Sequence, residues 1–151
     1  MKRIISLLLA VMTVLALTAC GGKTTTVDAQ SLAKALAEKT AFESELSAVS
    51  QEELGYYFQL PAKCDAAAYM SSGSTAEEIF VIECYDGASA AALRTSMQDF
   101  LDSQKTEMER YLPAEVDRIN GAIFETYGTC VVLCVTSDTD TARSVIKEYV
   151  K

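Results

Sequence analysis

The spacing of hydrophobic and polar positions changes along this chain, and each change predicts an element. Asp28 is placed to cap a helix, with Val27 as a staple on Leu32. Leu32, Ala35 and Leu36 then form one apolar stripe, which ends near Lys39-Thr40. Ser50-Gln51-Glu52-Glu53 has the form of a capping box, but Gly55 follows so soon that only a turn or two of helix fits. Residues 66–71 and 78–85 read as two strands joined by Ser72-Gly73-Ser74-Thr75-Ala76. In the second, Phe80, Ile82 and Cys84 alternate with Ile79, Val81, Glu83 and Tyr85. The first of these faces is the better core candidate.

After Asp86-Gly87 the period lengthens. Leu93, Met97, Phe100, Leu101, Met108, Tyr111 and Leu112 recur at helical spacing, with Arg94, Asp99, Asp102, Lys105, Glu109 and Arg110 between them. A helix of about 25 residues, some 37 Å long, follows, and Pro113 ends it. Residues 121–126 and 130–136 form a second predicted hairpin around Tyr127-Gly128. Both faces of its second strand are apolar, as in a strand that is central or covered on both sides. Ser137 or Asp138 caps a last helix whose stripe is Ala142, Val145, Ile146, Tyr149 and Val150. The order predicts an α+β fold: a two-layer sandwich, an antiparallel sheet of about four strands with helices packed on one face.

The first 19 residues alter the setting of all this. Met1-Lys2-Arg3 is basic, residues 4–17 are almost wholly apolar, and Ala19 is the small residue a processing enzyme needs before its cut. Leu17-Thr18-Ala19-Cys20 resembles the lipobox of bacterial lipoproteins. Cys20 is therefore expected to carry a diacylglyceryl group, with palmitate as an acyl chain. Two chains on one residue anchor stably where one does not. The alternative is an uncleaved transmembrane anchor, but about 14 apolar residues fall short of the roughly 20 a spanning helix needs. The expected organisation is a signal peptide over 1–19, a lipidated Cys20 with a flexible tether over 20–27, and one domain over 28–151. The tether Gly21–Thr26 reaches only about 20 Å when extended, so the domain and its partner are expected near the extracytoplasmic membrane surface.

Charge and composition then narrow the function classes. The whole chain has a formal charge of -8. Cleavage after Ala19 removes Lys2 and Arg3 and no acidic residue, leaving 11 basic against 21 acidic residues, or -10. Such a surface repels nucleic acid and anionic head groups, so membrane contact is expected to run through the lipid. The chain has no histidine and no tryptophan. Without histidine, the commonest general base and metal ligand are missing. Motifs for a nucleophile elbow, a zinc protease, a P-loop or a dinucleotide fold are absent too.

Candidate chemistry is therefore sparse. Cys130 and Cys134 on one strand would sit about 13 Å apart, beyond the roughly 7 Å limit for a disulfide. Either can pair with Cys84 or Cys64 if their strands are neighbours. The ordinary role of all four is as small buried hydrophobes, with a disulfide next and a thiol-dependent redox protein or enzyme third. Their spacings contain no CxxC knuckle, so no metal site is assigned, and no cofactor is expected. Tyr56-Tyr57-Phe58 can be a sugar or peptide platform or, more ordinarily, a plug at the core edge. The Ser72–Ala76 connection can suggest a phosphate cradle, but a strand follows it where a cradle needs a helix. Asp138-Thr139-Asp140 lacks the glycine and glutamate of a calcium loop and reads as a cap. Glu77 and Glu78 point to opposite faces and are expected at a solvated edge.

Three stretches carry a resemblance. Tyr69-Met70-Ser71-Ser72-Gly73-Ser74-Thr75-Ala76-Glu77-Glu78-Ile79, the charged helix with Gln104-Lys105 and Tyr111, and Gly128-Thr129-Cys130-Val131-Val132-Leu133 resemble a family of small Gram-positive lipoproteins catalogued as a domain of unknown function. The resemblance covers roughly residues 28–137. It implies the lipoprotein setting and no activity, and it implies ordinary apolar residues where this chain has Cys84, Cys130 and Cys134. The expected function is a membrane-anchored binding or scaffolding module, not an enzyme, with an envelope protein or small ligand as partner and self-association through an uncovered sheet face as a further possibility.

Overall fold

The computed structural model describes residues 26–150. The leader, Cys20 and nearly all of the tether lie outside the described residues. The elements are α1 (Ala29–Lys39), β1 (Leu46–Val49), α2 (Gln51–Leu54), β2 (Cys64–Ser71), β3 (Glu78–Cys84), α3 (Gly87–Tyr111), α4 (Glu115–Asn120), β4 (Ile123–Tyr127), β5 (Cys130–Val135) and α5 (Thr139–Tyr149). The five strands form one sheet in the order β1-β2-β3-β5-β4, and every neighbouring pair is antiparallel. The α+β class and both hairpins follow the hydrophobic pattern.

Two details of the expected architecture are corrected. The sheet has five strands, because the short edge strand β1 pairs with β2 from Leu46↔Ser71 to Val49↔Ala68. Helices also cover both faces, so the fold has three layers. The reason lies in β3 and β5, whose side chains are buried on both sides. Ile79, Val81, Cys130, Val132 and Cys134 join Leu32 and Leu36 of α1 and Val145 and Ile146 of α5 in one core. Phe80, Ile82, Val131, Leu133 and Val135 meet Leu93, Met97 and Leu101 of α3, Leu54 of α2 and Ile119 of α4 in the other. A strand apolar on both faces requires cover on both, and three helices on one side and two on the other supply it.

Local chemistry fixes the ends. Asp28, Asp86 and Asp138 cap α1, α3 and α5 by accepting from Ser31, Ser89 and Thr141 amides. Ser50 and Glu53 complete the expected capping box, with a one-turn α2. Gly128 takes φ +61° in the β4–β5 turn, where a side chain would be strained. The unforeseen α4 follows Pro113 directly. At six residues it is too short to leave a periodic signature. No helix among the described residues is long and apolar enough to cross a membrane.

Candidate functional site

The β2–β3 hairpin ends in a tight, braced turn, and beside it lies a half-open groove. Glu77 and Glu78 both border this groove, yet each is only 1 % exposed. The expectation of a solvated edge was therefore incorrect: each carboxyl goes into the protein in company that the local sequence does not reveal.

Glu77 binds the structure together. Its oxygens accept from the amides of Glu43 (3.0 Å) and Ser44 (2.9 Å) and from Thr75 Oγ1 (3.1 Å). The Arg118 guanidinium lies at 3.9 Å. Arg118, with a side chain only 8 % exposed, also pairs with Glu43 (2.7 Å) and Glu115. Glu115 in turn accepts from the Ala76 amide at 2.8 Å. Ser71 Oγ donates to the Thr75 carbonyl across the turn, whose Gly73 has φ +92°. Three carboxylates share one arginine, and the amides of the turn and of the α1–β1 loop satisfy much of what remains. Such a network is strong only while complete.

Glu78 faces the other way, toward α3. Gln104 Nε2 donates to its Oε2 at 3.2 Å. Its Oε1 and the Oε1 of Gln104 are both buried, and neither has a hydrogen-bond partner. Burial raises the Glu78 pKa from 4.5 to about 8, and the Gln104 bond opposes that rise only in part. Glu78 is thus predominantly a neutral acid at pH 7. Buried polar groups are ordinarily satisfied; the neutral acid has one proton to offer Gln104 Oε1, whereas ionised Glu78 leaves both oxygens without a donor.

These two residues line a half-open groove of about 650 Å³. Ser71, Ser72, Gly73 and Thr75 of the turn form one wall, and Phe100, Ser103, Glu107 and Met108 of α3 form the other. Tyr56 and Tyr57 flank it from the α2–β2 connection, and Met70 reaches it from β2. The aromatic triplet is split in role. Phe58 is buried against Phe80 and Phe100, whereas Tyr56 is 81 % and Tyr57 47 % exposed. Tyr57 stands edge-on to Phe100 at 5.8 Å. The plug reading fits Phe58 and the platform reading fits its two neighbours.

The cysteines are elsewhere. Cys64, Cys84, Cys130 and Cys134 are all free thiols. Cys64 lies directly opposite Cys84 across β2 and β3, while Cys130 and Cys134 are wholly buried on the α1–α5 side. Burial pushes the Cys84 thiol up to about 11 and those of Cys130 and Cys134 up to about 12. That is the wrong direction for a nucleophilic thiolate. No cluster of three or more potential metal-binding side chains occurs among the described residues.

Sequence reasoning had named Tyr56, Tyr57, Glu77 and Glu78 separately, and the structure brings them to one end of the sheet. It missed the participation of Gln104 as a buried partner and of Arg118 and Glu115 as the brace. The i,i+3 spacing of the last two was the only local signal. A family model described as "Domain of unknown function (DUF4358)" matches residues 38–136, a span that contains every residue lining the groove. No curated protein and no solved structure matches the chain.

Proposed function

The chain belongs to the DUF4358 family of unknown function, and from that premise we propose that it is a lipid-anchored, extracytoplasmic binding module whose ligand site is the groove between the β2–β3 turn and α3. The observation that carries the binding reading is the buried Glu78–Gln104 pair. This buried pair, whose two oxygens both lack a donor once Glu78 is ionised, lies under a concave, largely apolar surface of a size suited to a small ligand. A braced turn on one side and a 25-residue helix on the other make that surface largely preformed.

Support for the anchor comes from the leader and the Leu17-Thr18-Ala19-Cys20 junction. Support for a non-enzymatic role comes from the chain's lack of histidine and from thiols held in their protonated form. The rival redox reading needs a low-pKa thiol, and burial works against one. Both sheet faces are covered by helices, so the expected route of self-association through an uncovered sheet face has no such face among the described residues.

Two experiments test the proposal. Cells expressing the wild-type chain and Cys20→Ala are fed labelled palmitate and fractionated. Label and membrane retention should both vanish in the variant, and retention of either would refute the anchor. Separately, amide NMR of the protein titrated with a fragment library should place shift changes at Tyr57, Gln104 and Met108. Binding confined to other surfaces would refute the groove.

A further inference from the structure

We infer that the groove recognises a small organic amine, its ammonium group seated between Glu78 and Gln104 and its apolar body lying along Tyr57, Phe100 and Met108. The inference rests on the groove being the binding site and adds the chemical class of its occupant.

The sign of the site comes first. Three carboxyl groups border the groove, those of Glu77, Glu78 and Glu107, and no lysine or arginine lines it. Glu77 is already neutralised by Arg118 and by loop amides, so the uncommitted groups are Glu78 at the base and Glu107 at the rim. An anionic ligand would find no cation and would face like charge. A cation or a donor-rich group would find complementary charge.

Hydrogen-bonding capacity sharpens this. A carboxylate accepts only, and a glutamine amide oxygen accepts only. Gln104 uses its nitrogen on Glu78 Oε2, which leaves Glu78 Oε1 and Gln104 Oε1 without donors. A protonated Glu78 can give its one proton to Gln104 Oε1 and close the pair on itself; once Glu78 is ionised both oxygens lack a donor, and that is the state a bound donor group would complete. The missing complement is a compact group carrying several donors. An ammonium has three and no acceptor; its charge would favour release of the Glu78 proton to solvent, leaving a carboxylate that accepts a charge-assisted bond. A hydroxyl offers one donor and no charge.

The walls fit the rest of such a molecule. Tyr57 and Phe100 present aromatic surface at the mouth, where a cation in transit gains from the ring faces. Met70 and Met108 give adaptable apolar contact. The space of about 650 Å³ admits a ring or a short alkyl chain with its amine.

The test uses the full-length acylated protein in nanodiscs and three probes of one shape: phenethylamine, phenethyl alcohol and phenylacetate. Calorimetry gives affinity, and amide NMR gives location. Phenethylamine should bind at least about tenfold tighter than the alcohol, with shifts at Tyr57 and Gln104, and phenylacetate should not bind. Glu78→Gln should weaken the amine by about tenfold or more and bring amine and alcohol together. Gln104→Leu, which removes one acceptor and no charge, should weaken the amine as well. Glu107→Gln at the rim should change it less than about threefold.

The outcomes separate. If no probe shifts groove resonances, the groove is not the binding site and both readings fall. If the alcohol or the carboxylate binds there as well as the amine, the site stands and the amine class is refuted. Amine binding that survives both Glu78→Gln and Gln104→Leu refutes the seating. If Glu78→Gln fails to fold, Gln104→Leu and the probe series still decide.

Discussion

Glu78→Gln should make this protein more stable, and increasingly so as pH rises through neutrality. In the folded state burial raises the Glu78 pKa from the ordinary 4.5 to about 8. The folded protein therefore holds this proton more tightly than the unfolded chain does. Between those two values the unfolded state is ionised and the folded state is not, so stability falls with rising pH. Below about pH 4.5 both states are protonated and nothing is lost. Above about 8 both are ionised and the loss is complete. Each unit is worth about 1.4 kcal/mol, so the cost of this one group is about 3 kcal/mol at pH 7 and approaches about 5 kcal/mol at pH 9. A glutamine of the same shape cannot ionise and can donate to Gln104 Oε1, so it should escape the whole effect. Urea unfolding of both proteins at pH 5, 7 and 9 measures it. The gap should be small at pH 5 and widen by several kcal/mol at pH 9. Other groups do not fill that window. Glu53, Asp86, Asp138 and Glu125 are held below their ordinary values by local hydrogen bonds, so their contributions are lost only as pH falls below about 4. The buried thiols and Tyr127, raised to about 11 to 12, begin to matter only well above pH 8. Glu77 and Glu107, the nearest other carboxyls, are present in both proteins and cancel in the comparison. Parallel pH profiles for the two proteins, or a less stable variant at pH 9, would refute the burial argument.

Three further outcomes are expected. Arg118→Ala should cost about 3–5 kcal/mol in the same unfolding assay, because it strands the buried carboxyls of Glu77 and Glu115, and Arg118→Lys should recover only part of it since one ammonium cannot serve three partners in fixed directions. Phe80→Ala should cost about 3–5 kcal/mol by opening a cavity among Phe58, Phe100 and the β5 side chains. Thiol labelling of native protein at pH 8 should modify half-exposed Cys64 first, with Cys130 and Cys134 reacting only when denaturant is added; fast native labelling of either would overturn their assignment as packing residues.

How much of this was legible in the sequence depends on how local each signal is. The α3 stripe, both hairpins and the caps at Asp28 and Ser50 depend on residues within a few positions of one another and were legible; the last cap was narrowed to Ser137 or Asp138, and the Asp86 cap was read only as a break after β3. The two apolar faces of β5 read as either a central strand or one covered on both sides, and the expected architecture still placed the helices on one face. Which helices cover each face depends on where α1 and α5 return across the sheet, and the hydrophobic pattern does not encode that. β1 was missed because Ser47 and Ala48 are exposed and only Leu46 and Val49 are partly buried, which leaves no alternation to read; register with β2 makes it a strand. Glu77 and Glu78 show the largest gap. Beside a serine-rich turn they look like surface carboxyls, and the residues that bury them, Gln104, Glu115 and Arg118, lie 26 to 41 positions later. The stability lost by burying Glu78 is the kind of local inconsistency expected where a site serves binding in place of folding.

The point where the polypeptide enters the folded body has a directional consequence. Val27 is buried there, and its amide donates to Glu83 Oε2 at 3.1 Å, near the C-terminal end of β3. Glu78 opens the same strand, five residues earlier and about 17 Å away. If Cys20 is the lipid attachment point proposed above, leash and receptor cleft occupy opposite poles of one rigid strand. The attachment would then lie at the far end of that strand from the cleft and leave the cleft unobstructed.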